Sequence, residues 1–488
     1  MSLPIYSSTT TAKWDAFTMQ HEPISSIELM ERAASLATKQ ILGNHLFESA
    51  AIICGPGNNG GDGLVIARLL CETQKTVSVY YWESKIQSAD FKKNFEKLPK
   101  GLSLIKIDDS FDLKSFESEL VIDCIFGSGL NRPLEGWLTN VVGAINHSTG
   151  KIISIDIPSG LFAQGANNSN DSIVNADLTL TFMSPKMTFF FPENKEFVGD
   201  FKVLDIQLHQ DFVAEPIAHF LNGDDIRINR RGQFDHKGIS GYLTLIAGLG
   251  QMTGAAVLSA RSAMKSGAGY VDLISSTEAK QALMVSQAEV ICQSSEDYNI
   301  SAKTNALAIG PGLGTTENSK NILLDSFQLD IPIVIDADAL TILSTDASVL
   351  EKLPKNAILT PHLGELRKLI GPSENSDEML TKQIEFSKSH EIFIIQKGAY
   401  SKLTTPEGTV FVNSTGNAGM ASAGMGDVLT GLIGSLLAQG YSTEEASKFG
   451  MFLHGYAADK HVFHLGEIGL VASDIVDRLP KTMNDFSY

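Results

Sequence analysis

Asp427 follows a glycine-rich stretch whose composition is typical of an anion-binding loop. The stretch reads NAGMASAGMGD from residue 417 to residue 427 and leads directly into Val428–Leu437, an apolar run with helical spacing. Backbone N–H groups at a helix N-terminus bind anions, so we expect a phosphate group here. Asp427 would accept the proton of a hydroxyl group that attacks this phosphate. A glycine-rich turn before an ordinary core helix is the alternative.

A second glycine-rich loop, GPGNNGGDG at residues 55–63, lies between the predicted strand Ala50–Cys54 and the predicted helix Leu64–Leu70. Residues 55–60 fit G-x-G-x-x-G in a strand–turn–helix context, which is the pattern of a dinucleotide-binding loop. Asp62 argues against an NAD-dependent dehydrogenase, because such a loop avoids a carboxylate beside the pyrophosphate. The downstream sequence also lacks a set of residues for hydride transfer.

Two further carboxylates lie late on predicted strands or directly after them. Asp123 belongs to Leu120–Phe126, and Asp156 and Ser159 belong to the stretch IDIPSG. The carboxyl ends of parallel strands form the ligand crevice of an open α/β sheet, so we expect these side chains to converge. A buried charge needs compensation, which a hard cation bound by oxygen atoms of Asn59, Asp123 and Ser159 would provide. Each aspartate alone is equally compatible with a capping role.

The elements that position these residues alternate between strand and helix patterns in both halves of the chain, which predicts parallel sheets covered by helices. A capping box at Ser25–Glu28 predicts the start of one helix. In the first half we predict strands at Ala50–Cys54, Thr76–Tyr81, Leu120–Phe126, Lys151–Ile157 and Ala176–Phe182. The pattern weakens around residues 208–225, so we predict two domains, 1–215 and 222–488.

The second half contains more predicted elements than the first. The predicted strands are Tyr242–Ala247, Tyr270–Ile274, Ala306–Ile309, Ile333–Ile335, Ala357–Leu359, Ile392–Ile395 and Thr409–Val412, and the long helices are 254–265, 427–439 and 443–460. The fold class is therefore α/β in both domains.

The composition of the 488 residues narrows the possible functions. A hydrophobic fraction of 43% is typical of a soluble globular protein, and a net charge of −18 argues against a nucleic-acid-binding surface. We predict neither a signal peptide nor a membrane span, because the sequence has no basic N-terminal region before an apolar run and no apolar run of about 18 residues. The cysteines have no metal-binding spacing and are expected to be free thiols in the cytoplasm: Cys54, Cys71, Cys124 and Cys292.

The first half resembles the N-terminal domain of the bifunctional NAD(P)H-hydrate repair enzymes over about residues 10–215, through the stretches GPGNNGGDG, DCIFGSGL and IDIPSG and a preceding helix with Leu29-Met30-Glu31. This resemblance implies a Rossmann-like three-layer domain that epimerises hydrated NAD(P)H, NAD(P)HX, with Asp156 as our candidate acid or base. It implies that Asn59, Asp123 and Ser159 hold potassium. The residues implied to contact the hydrate are Asn58, Asn59, Gly60, Gly61, Asp62, Gly127, Ser128, Gly129, Leu130, Asn131, Arg132, Pro133 and Asp156.

The second half resembles ribokinase-like enzymes, and among them the ADP/ATP-dependent NAD(P)H-hydrate dehydratases, over about residues 225–485. The resemblance rests on the stretches GPGLG, DADAL, TPHLGE, KGAYS and AGMGD. It implies adenine-nucleotide binding by Lys397, Gly398, Ala399, Tyr400, Ser401 and Gly426. It further implies hydrate binding by Ala255, Gly312, His362 and Asp427, with Asp427 as the catalytic base and Mg²⁺ accompanying ADP or ATP.

These resemblances imply a two-step repair enzyme. Residues 1–215 would interconvert R- and S-NAD(P)HX at C6, and residues 222–488 would dehydrate the S epimer through a phosphorylated intermediate. We expect NADHX, NADPHX and an adenine nucleotide as partners, no nucleic acid or membrane, and a cytoplasmic homo-oligomer. One alternative is a small-alcohol or vitamin-precursor kinase with an accessory N-terminal domain. Another is a first half that serves only as a binding or scaffold module.

Overall fold

The computed structural model describes residues 2–110, 112, 114–250 and 252–488, and these form two compact units. One unit contains residues 4–217 and 375–377. The other contains residues 218–374 and 378–488 together with residues 2–3. Each unit is built on its own β-sheet. No helix within the described residues is long and apolar enough to cross a membrane.

The sheet of the first unit has seven strands, all parallel. After a short strand β1 (Leu3–Ile5), which belongs to the other sheet, the chain forms β2 (Ser49–Cys54), β3 (Thr76–Tyr81), β4 (Ser103–Lys106), β5 (Leu120–Cys124), β6 (Lys151–Ile155), β7 (Leu178–Phe182) and β8 (Asp200–Leu204). Their order across the sheet is β4-β3-β2-β5-β6-β7-β8. The strand order reverses between β2 and β5, which is the switch point where open α/β sheets bind ligands.

Two helices of the first unit precede its sheet strands, and the others connect β2 with β3, β3 with β4, β5 with β6 and β7 with β8. They are α1 (Ser8–His21), α2 (Ser26–Asn44), α3 (Asn58–Glu72), α4 (Ala89–Glu96), α5 (Leu138–Asn146) and the single turn α6 (Lys195–Val198). The predicted capping box at the start of α2 is confirmed, because the backbone N–H of Ser25 donates to Glu28 Oε2 at 2.7 Å.

The start of α3 corrects one prediction. The helix begins at Asn58, whereas the sequence predicted a loop that extends to residue 63. The glycines allow the backbone of the first helical turns to pack closely against neighbouring atoms. A Cβ atom at Gly60 would lie 1.7 Å from the carbonyl oxygen of Gly55, so no other residue fits at this position.

The second unit has a larger, mixed sheet. Its strands are β9 (Ala218–Phe220), β10 (Tyr242–Ile246), β11 (Tyr270–Ser275), β12 (Ile291–Ser294), β13 (Ala306–Ile309), β14 (Ile333–Ile335), β15 (Ile358–Leu359), β16 (Phe393–Gln396), β17 (Lys402–Thr404) and β18 (Val410–Val412). Their order is β1-β9-β18-β17-β16-β15-β14-β13-β10-β11-β12. The strands from β16 to β12 are parallel, and β17 runs antiparallel to both neighbours. The switch point lies between β10 and β13.

The helices of the second unit include the glycine-rich helix that follows residue 424. They are α7 (Thr253–Lys265), α8 (Thr277–Ser286), α9 (Glu317–Ser326), α10 (Ala337–Thr345), α11 (Ala347–Leu350), α12 (Leu363–Ile370), α13 (Ser376–His390), α14 (Met425–Ala438), α15 (Thr443–Leu465) and α16 (Ala472–Asp485). Helices α14 and α7 pack backbone against backbone, because a Cβ atom at Gly431 would lie 2.1 Å from the carbonyl oxygen of Ser259.

Candidate active sites

The predicted residues of the first unit converge on the segment that follows β5. The backbone N–H of Phe126 donates to Ser159 Oγ at 2.9 Å. A Cβ atom at the next residue, Gly127, would lie 3.1 Å from Asp156 Oδ2 and 3.5 Å from Asn59 Cβ. The carboxyl ends of β2, β5 and β6 therefore bring Asn59, Asp156 and Ser159 together at the switch point.

Asp123 is fully buried on β5 and accepts four hydrogen bonds. Its Oδ1 accepts from Ile125 N at 3.1 Å and Ser159 Oγ at 2.6 Å, and its Oδ2 accepts from Ser154 Oγ and Ser159 N, both at 2.8 Å. Burial raises the pKa of Asp123, and these hydrogen bonds oppose the rise. Four donors occupy the acceptor positions of a carboxylate, so Asp123 firmly orients Ser159.

Asn59 differs from Asp123, because its side chain is buried without a partner. The residue is 7% exposed, and neither Oδ1 nor Nδ2 makes a hydrogen bond to any described residue. A buried amide without a partner is costly. Its oxygen suits a hard cation, so Asn59 fits the predicted potassium site. Asp123 would add negative charge there but has its acceptor positions already occupied.

Asp156 directly follows β6 and forms the centre of the first site. Its φ angle is 68°, a left-handed conformation that is uncommon for residues other than glycine. Its Oδ1 lies 2.8 Å from Lys186 Nζ, and its Oδ2 accepts the N–H of Ser128 at 2.9 Å. Burial alone would raise the pKa of Asp156, but the Lys186 ammonium and Ser128 outweigh it and leave the pKa lowered. Asp156 is therefore ionised at neutral pH.

Lys186 was not among the residues predicted from the sequence. It is 6% exposed, and its Nζ also lies 2.9 Å from Thr181 Oγ1 and 3.4 Å from the carbonyl oxygen of Ser184. The one signal in the sequence is its isolation, because Lys186 is the single charged residue of the stretch LTLTFMSPKMTFFF, residues 178–191.

Other acidic residues surround Asp156 and have raised pKa values. Burial, followed by repulsion from Asp156, Asp15 and Asp90, raises the pKa of Asp62 well above its ordinary value. Burial and Asp156 raise the pKa of Asp15 to about 6, against the opposing effect of Lys186. Asp15 lies on α1 and was also not predicted. The site thus combines Asp156, a carboxylate with a lowered pKa, with Asp62 and Asp15, whose pKa values are raised, an arrangement suited to acid–base chemistry.

The remaining predicted residues of this site differ in exposure. Asn58, Gly129, Asn131 and Arg132 are exposed, and Leu130 and Pro133 are half-buried. Gly60 and Gly61 are buried within the first turns of α3. These two glycines therefore act through close packing, whereas the exposed residues around the switch point can contact a ligand directly.

In the second unit, the loops after β10 and β13 join at the switch point. Gly248 N donates to the carbonyl oxygen of Pro311 at 2.8 Å, and Gly250 N to that of Gly312 at 3.2 Å. A Cβ atom at Gly312 would lie 3.4 Å from the Cβ atom of Ala255. The predicted hydrate-binding residues Ala255 and Gly312 are therefore neighbours.

Asp427 lies in the first turn of α14, directly after the predicted anion-binding loop. The helix is capped by Gly424, whose φ angle of 86° is the left-handed conformation that favours glycine. The first N–H groups of a helix lack intrahelical acceptors and attract anions. Burial and repulsion from Asp336 raise the pKa of Asp427 to about 6, with Lys397 opposing and Asp338 adding to the rise.

Lys397 forms an ion pair with Asp336 beside this helix. The Nζ–Oδ1 distance is 2.7 Å, and Asp336 Oδ2 accepts the hydroxyl of Thr430 at 2.8 Å. A Cβ atom at Gly426 would lie 3.1 Å from Lys397 Nζ, so two predicted nucleotide-binding residues are adjacent. Asp336 was part of the motif DADAL but was not predicted as a site residue. Its position at the end of an apolar strand was the available signal.

His362 has a structural role in the described chain. It caps α12, with Nδ1 accepting the N–H groups of Gly364 at 2.9 Å and Glu365 at 3.2 Å. Its side chain is 61% exposed, and its backbone pairs with Lys397 in an isolated parallel bridge. The cap fixes the ring at the same sheet edge as Lys397, with Nε2 3.6 Å from Glu365 Oε2.

Residues 398–401 form the tight turn between β16 and β17. Ser401 Oγ donates to the carbonyl oxygen of Gly398 at 3.0 Å, and Tyr400 has a φ angle of 51°. Gly398, Ala399 and Tyr400 are exposed. The turn presents a surface next to Lys397 that is accessible to a nucleotide.

The two halves of the chain match two different family models. Residues 243–481 match the model described as NAD(P)H-hydrate dehydratase, and residues 26–188 match the model described as YjeF-related protein N-terminus. The match over residues 26–188 falls within one unit, and the match over residues 243–481 falls within the other except for residues 375–377.

Similarity to curated proteins extends over nearly the whole chain. The bifunctional NAD(P)H-hydrate repair enzyme Nnr of Thermofilum pendens is 33% identical over 93% of this chain and 91% of its own length. The enzyme of the same name from Dictyoglomus turgidum is 34% identical over 95% of both chains. Among solved structures, a ribokinase-like superfamily protein from Enterococcus faecalis V583 covers 57% of this chain and 99% of its own, with 26% identity and a TM-score of 0.51.

Proposed function

This chain belongs to the family of bifunctional NAD(P)H-hydrate repair enzymes, and we propose that its two units divide the repair of NADHX and NADPHX between them. The first unit interconverts the R and S epimers at C6. The second unit dehydrates the S epimer to NAD(P)H at the expense of ADP or ATP. The observation that carries this proposal is that each unit has its own aspartates and lysine at the carboxyl edge of its own sheet.

The dehydration requires a better leaving group than hydroxide. The C6 hydroxyl attacks the terminal phosphorus of the nucleotide, and the bond from that phosphorus to the nucleotide breaks. The lone pair of N1 then expels phosphate from C6, and loss of a proton from C5 forms the C5=C6 double bond of NAD(P)H. A kinase-like site therefore serves an elimination reaction.

The residues of the second unit suit the phosphoryl transfer. Asp427 accepts the proton of the C6 hydroxyl, and the N–H groups at the start of α14 stabilise the charge on the transferring group. Lys397, next to Gly426, neutralises phosphate oxygens, and the turn 398–401 contacts the nucleotide. Ala255, Gly312 and His362 line the position of the hydrate. Mg²⁺ bound to the phosphates would supply further charge neutralisation.

Epimerisation in the first unit requires a group that donates a proton and one that accepts a proton. Cleavage of the C6–O bond releases water when the hydroxyl is protonated, and water then adds to the other face of C6. Asp156 is ionised and accepts the proton of the incoming water. Asp62, whose pKa is raised well above its ordinary value by burial and the neighbouring carboxylates, supplies the proton of the departing water.

A potassium ion is the cofactor that we propose for the first unit. Asn59 Oδ1 is the buried oxygen without a partner that supports this proposal. Ser159 is the second predicted oxygen ligand, and Asp123, whose acceptor positions are occupied, would contribute its negative charge. The ion would compensate the Asp123 charge and fix the segment around Gly127 beside the hydrate. The four free cysteines suit a reducing cytoplasm. A homo-oligomeric state stays a prediction from the sequence.

One assay of the full chain tests the proposed function. A mixture of R- and S-NADHX with K⁺, Mg²⁺ and either ADP or ATP should regain the absorbance of reduced nicotinamide completely. The Asp156→Asn variant should convert only the S epimer to NADH over times that are short compared with spontaneous epimerisation. A stable phosphorylated product without restored absorbance would instead identify a kinase.

A further inference from the structure

Lys186 is a buried cation whose hydrogen-bonding capacity is used within the protein. Its ammonium contacts Asp156 Oδ1 at 2.8 Å, Thr181 Oγ1 at 2.9 Å and the carbonyl oxygen of Ser184 at 3.4 Å. An ammonium group carries three N–H bonds, and these three contacts account for all of them. Lys186 therefore has no N–H bond left to donate to a substrate.

The two members of this ion pair differ in their access to the site. The side chain of Asp156 is 16% exposed, whereas that of Lys186 is 7% exposed. Asp156 also accepts the N–H of Ser128, which belongs to the segment predicted to contact the hydrate. The carboxylate is thus the member of the pair that meets the ligand, and the ammonium lies behind it.

We propose that Lys186 is a positioning residue for epimerisation, which keeps Asp156 as a carboxylate and aims it at C6 of the hydrate. The inference rests on the proposed epimerase function of the first unit. Lys186 acts through Asp156 and does not exchange protons with the substrate.

The charged groups that face Asp156 explain why such a residue is needed. Asp15 on α1 and Asp62 on α3 both repel the Asp156 charge, and Asp90 on α4 repels that of Asp62. Lys186 is the one cation among the charged groups that the structure couples to Asp156. Without Lys186, burial and these carboxylates would favour a protonated Asp156. With it, the pKa of Asp156 is lowered while those of Asp15 and Asp62 are raised, so acceptor and donor are separated.

A double-mutant cycle in the full chain tests this role. The variants are Lys186→Met, Asp156→Asn and the double variant, and the readout is the rate of R-to-S conversion by the protein. Lys186→Met should slow epimerisation about 10²-fold at neutral pH, which is typical for loss of a positioned base. In the Asp156→Asn background, the same change should alter the rate less than about threefold, because Lys186 then has no carboxylate to hold.

The pH profile provides the second measurement. In Lys186→Met, the fall of the rate at acidic pH should begin at a higher pH than in the wild type, because Asp156 is protonated more easily. Lys186→Arg keeps the positive charge. The pH at which the rate begins to fall should therefore match that of the wild type, although the rate itself should be lower. The matched control is Lys202→Met, which removes an exposed lysine of β8 that binds Gln40 and should change neither quantity.

Two results would overturn the inference. One is a Lys186→Met change that slows epimerisation as much in the Asp156→Asn background as in the wild type, which would mean that Lys186 exchanges a proton itself. The other is a Lys186→Met variant whose rate begins to fall at the same acidic pH as that of the wild type. If Lys186→Met does not fold, the rates of Asp156→Asn and of the double variant still test the inference. The double variant is expected to fold, because it removes both charges of the pair and leaves neither buried alone. A wild-type chain that does not interconvert the epimers would refute the proposed function instead.

Discussion

The two units place the same ion pair, a lysine with an aspartate, at their sheet edges with opposite exposure. In the first unit, the Lys186 side chain is 7% exposed and its partner Asp156 is 16% exposed. In the second unit, the Asp336 side chain is 1% exposed and its partner Lys397 is 21% exposed. The buried member contacts the exposed one and orients it. The first site therefore presents a carboxylate to its ligand, and the second presents an ammonium.

This difference matches the chemistry proposed for each unit. Proton transfer at C6 needs a base, and a carboxylate held by a buried cation provides it. Phosphoryl transfer needs positive charge near phosphate oxygens, and an ammonium held by a buried carboxylate provides that. Asp427, which is not paired in this way, has a pKa raised to about 6 beside Asp336. The same two residue types thus suit different proposed reactions, because the lysine is the more buried member of one pair and the aspartate is the more buried member of the other.

The largest effect is expected from Asp427→Asn, which separates the two units functionally. Removing the proposed base should lower the dehydration rate by about 10² to 10⁴ and leave epimerisation at the wild-type rate. The two reactions are measured on the same preparation by nicotinamide absorbance and by chromatography of the epimers. Dehydration at a near-normal rate would contradict the assigned role.

Lys397→Met tests the ion pair of the second unit. The change leaves Asp336 buried without its cation and should destabilise this unit by about 3 kcal/mol, the lower end for breaking a buried pair because Lys397 is partly exposed. Urea unfolding of the full chain measures the effect, with Lys352→Met on the surface as the control. A loss below about 0.5 kcal/mol would show that the pair contributes only to binding.

The pH dependence of dehydration should reveal the raised pKa of Asp427. A base must be ionised to act, so kcat/KM for the S epimer should fall about tenfold per pH unit below pH about 6. Asp338→Asn removes one of the repelling carboxylates and should move this limit to lower pH by less than about one unit. If kcat/KM of the wild type fell only below about pH 4, the base would be a group other than Asp427.

Potassium should have the smallest effect, and only on the first unit. Binding at about five times Kd should stabilise this unit by about 1 kcal/mol, seen as a higher Tm in KCl than in tetramethylammonium chloride of equal ionic strength. Asn59→Ala should lose this shift, whereas Asn44→Ala on the surface should retain it. Equal shifts in both variants would remove Asn59 from the cation site.

Much of this architecture could be predicted from local sequence patterns. All seven strands predicted in the second half are present, with ends that differ by no more than one residue. Short apolar runs bounded by polar residues define buried strands, and chain order places their carboxyl ends at one edge. Asp427 could be identified because it ends a glycine-rich motif, and Asp156 because it lies near the end of a predicted strand.

The features that escaped prediction depend on contacts between distant parts of the chain. Lys186 lies 30 residues after Asp156, and Asp15 lies on a helix at the other end of the unit's sequence. No local pattern marks Asp15 as a site residue, and the single charge of Lys186 in an apolar stretch does not indicate its partner. The start of α3 was predicted six residues late, at Leu64 instead of Asn58, because its glycines indicated a loop. The packing of Gly60 against Gly55 becomes apparent only in three dimensions.

The contact between Gly431 and Ser259 has a mechanical consequence for the second unit. Helix α14 carries Asp427 and α7 carries Ala255, and the two helices meet with no side chain between their backbones at this point. Side chains at an interface can change rotamer and let helices slide, whereas backbone in direct contact resists such movement. The proposed base and one residue of the proposed hydrate site therefore move as a single rigid body. The amide protons in the middle of α14 should be among the slowest of the unit to exchange with solvent.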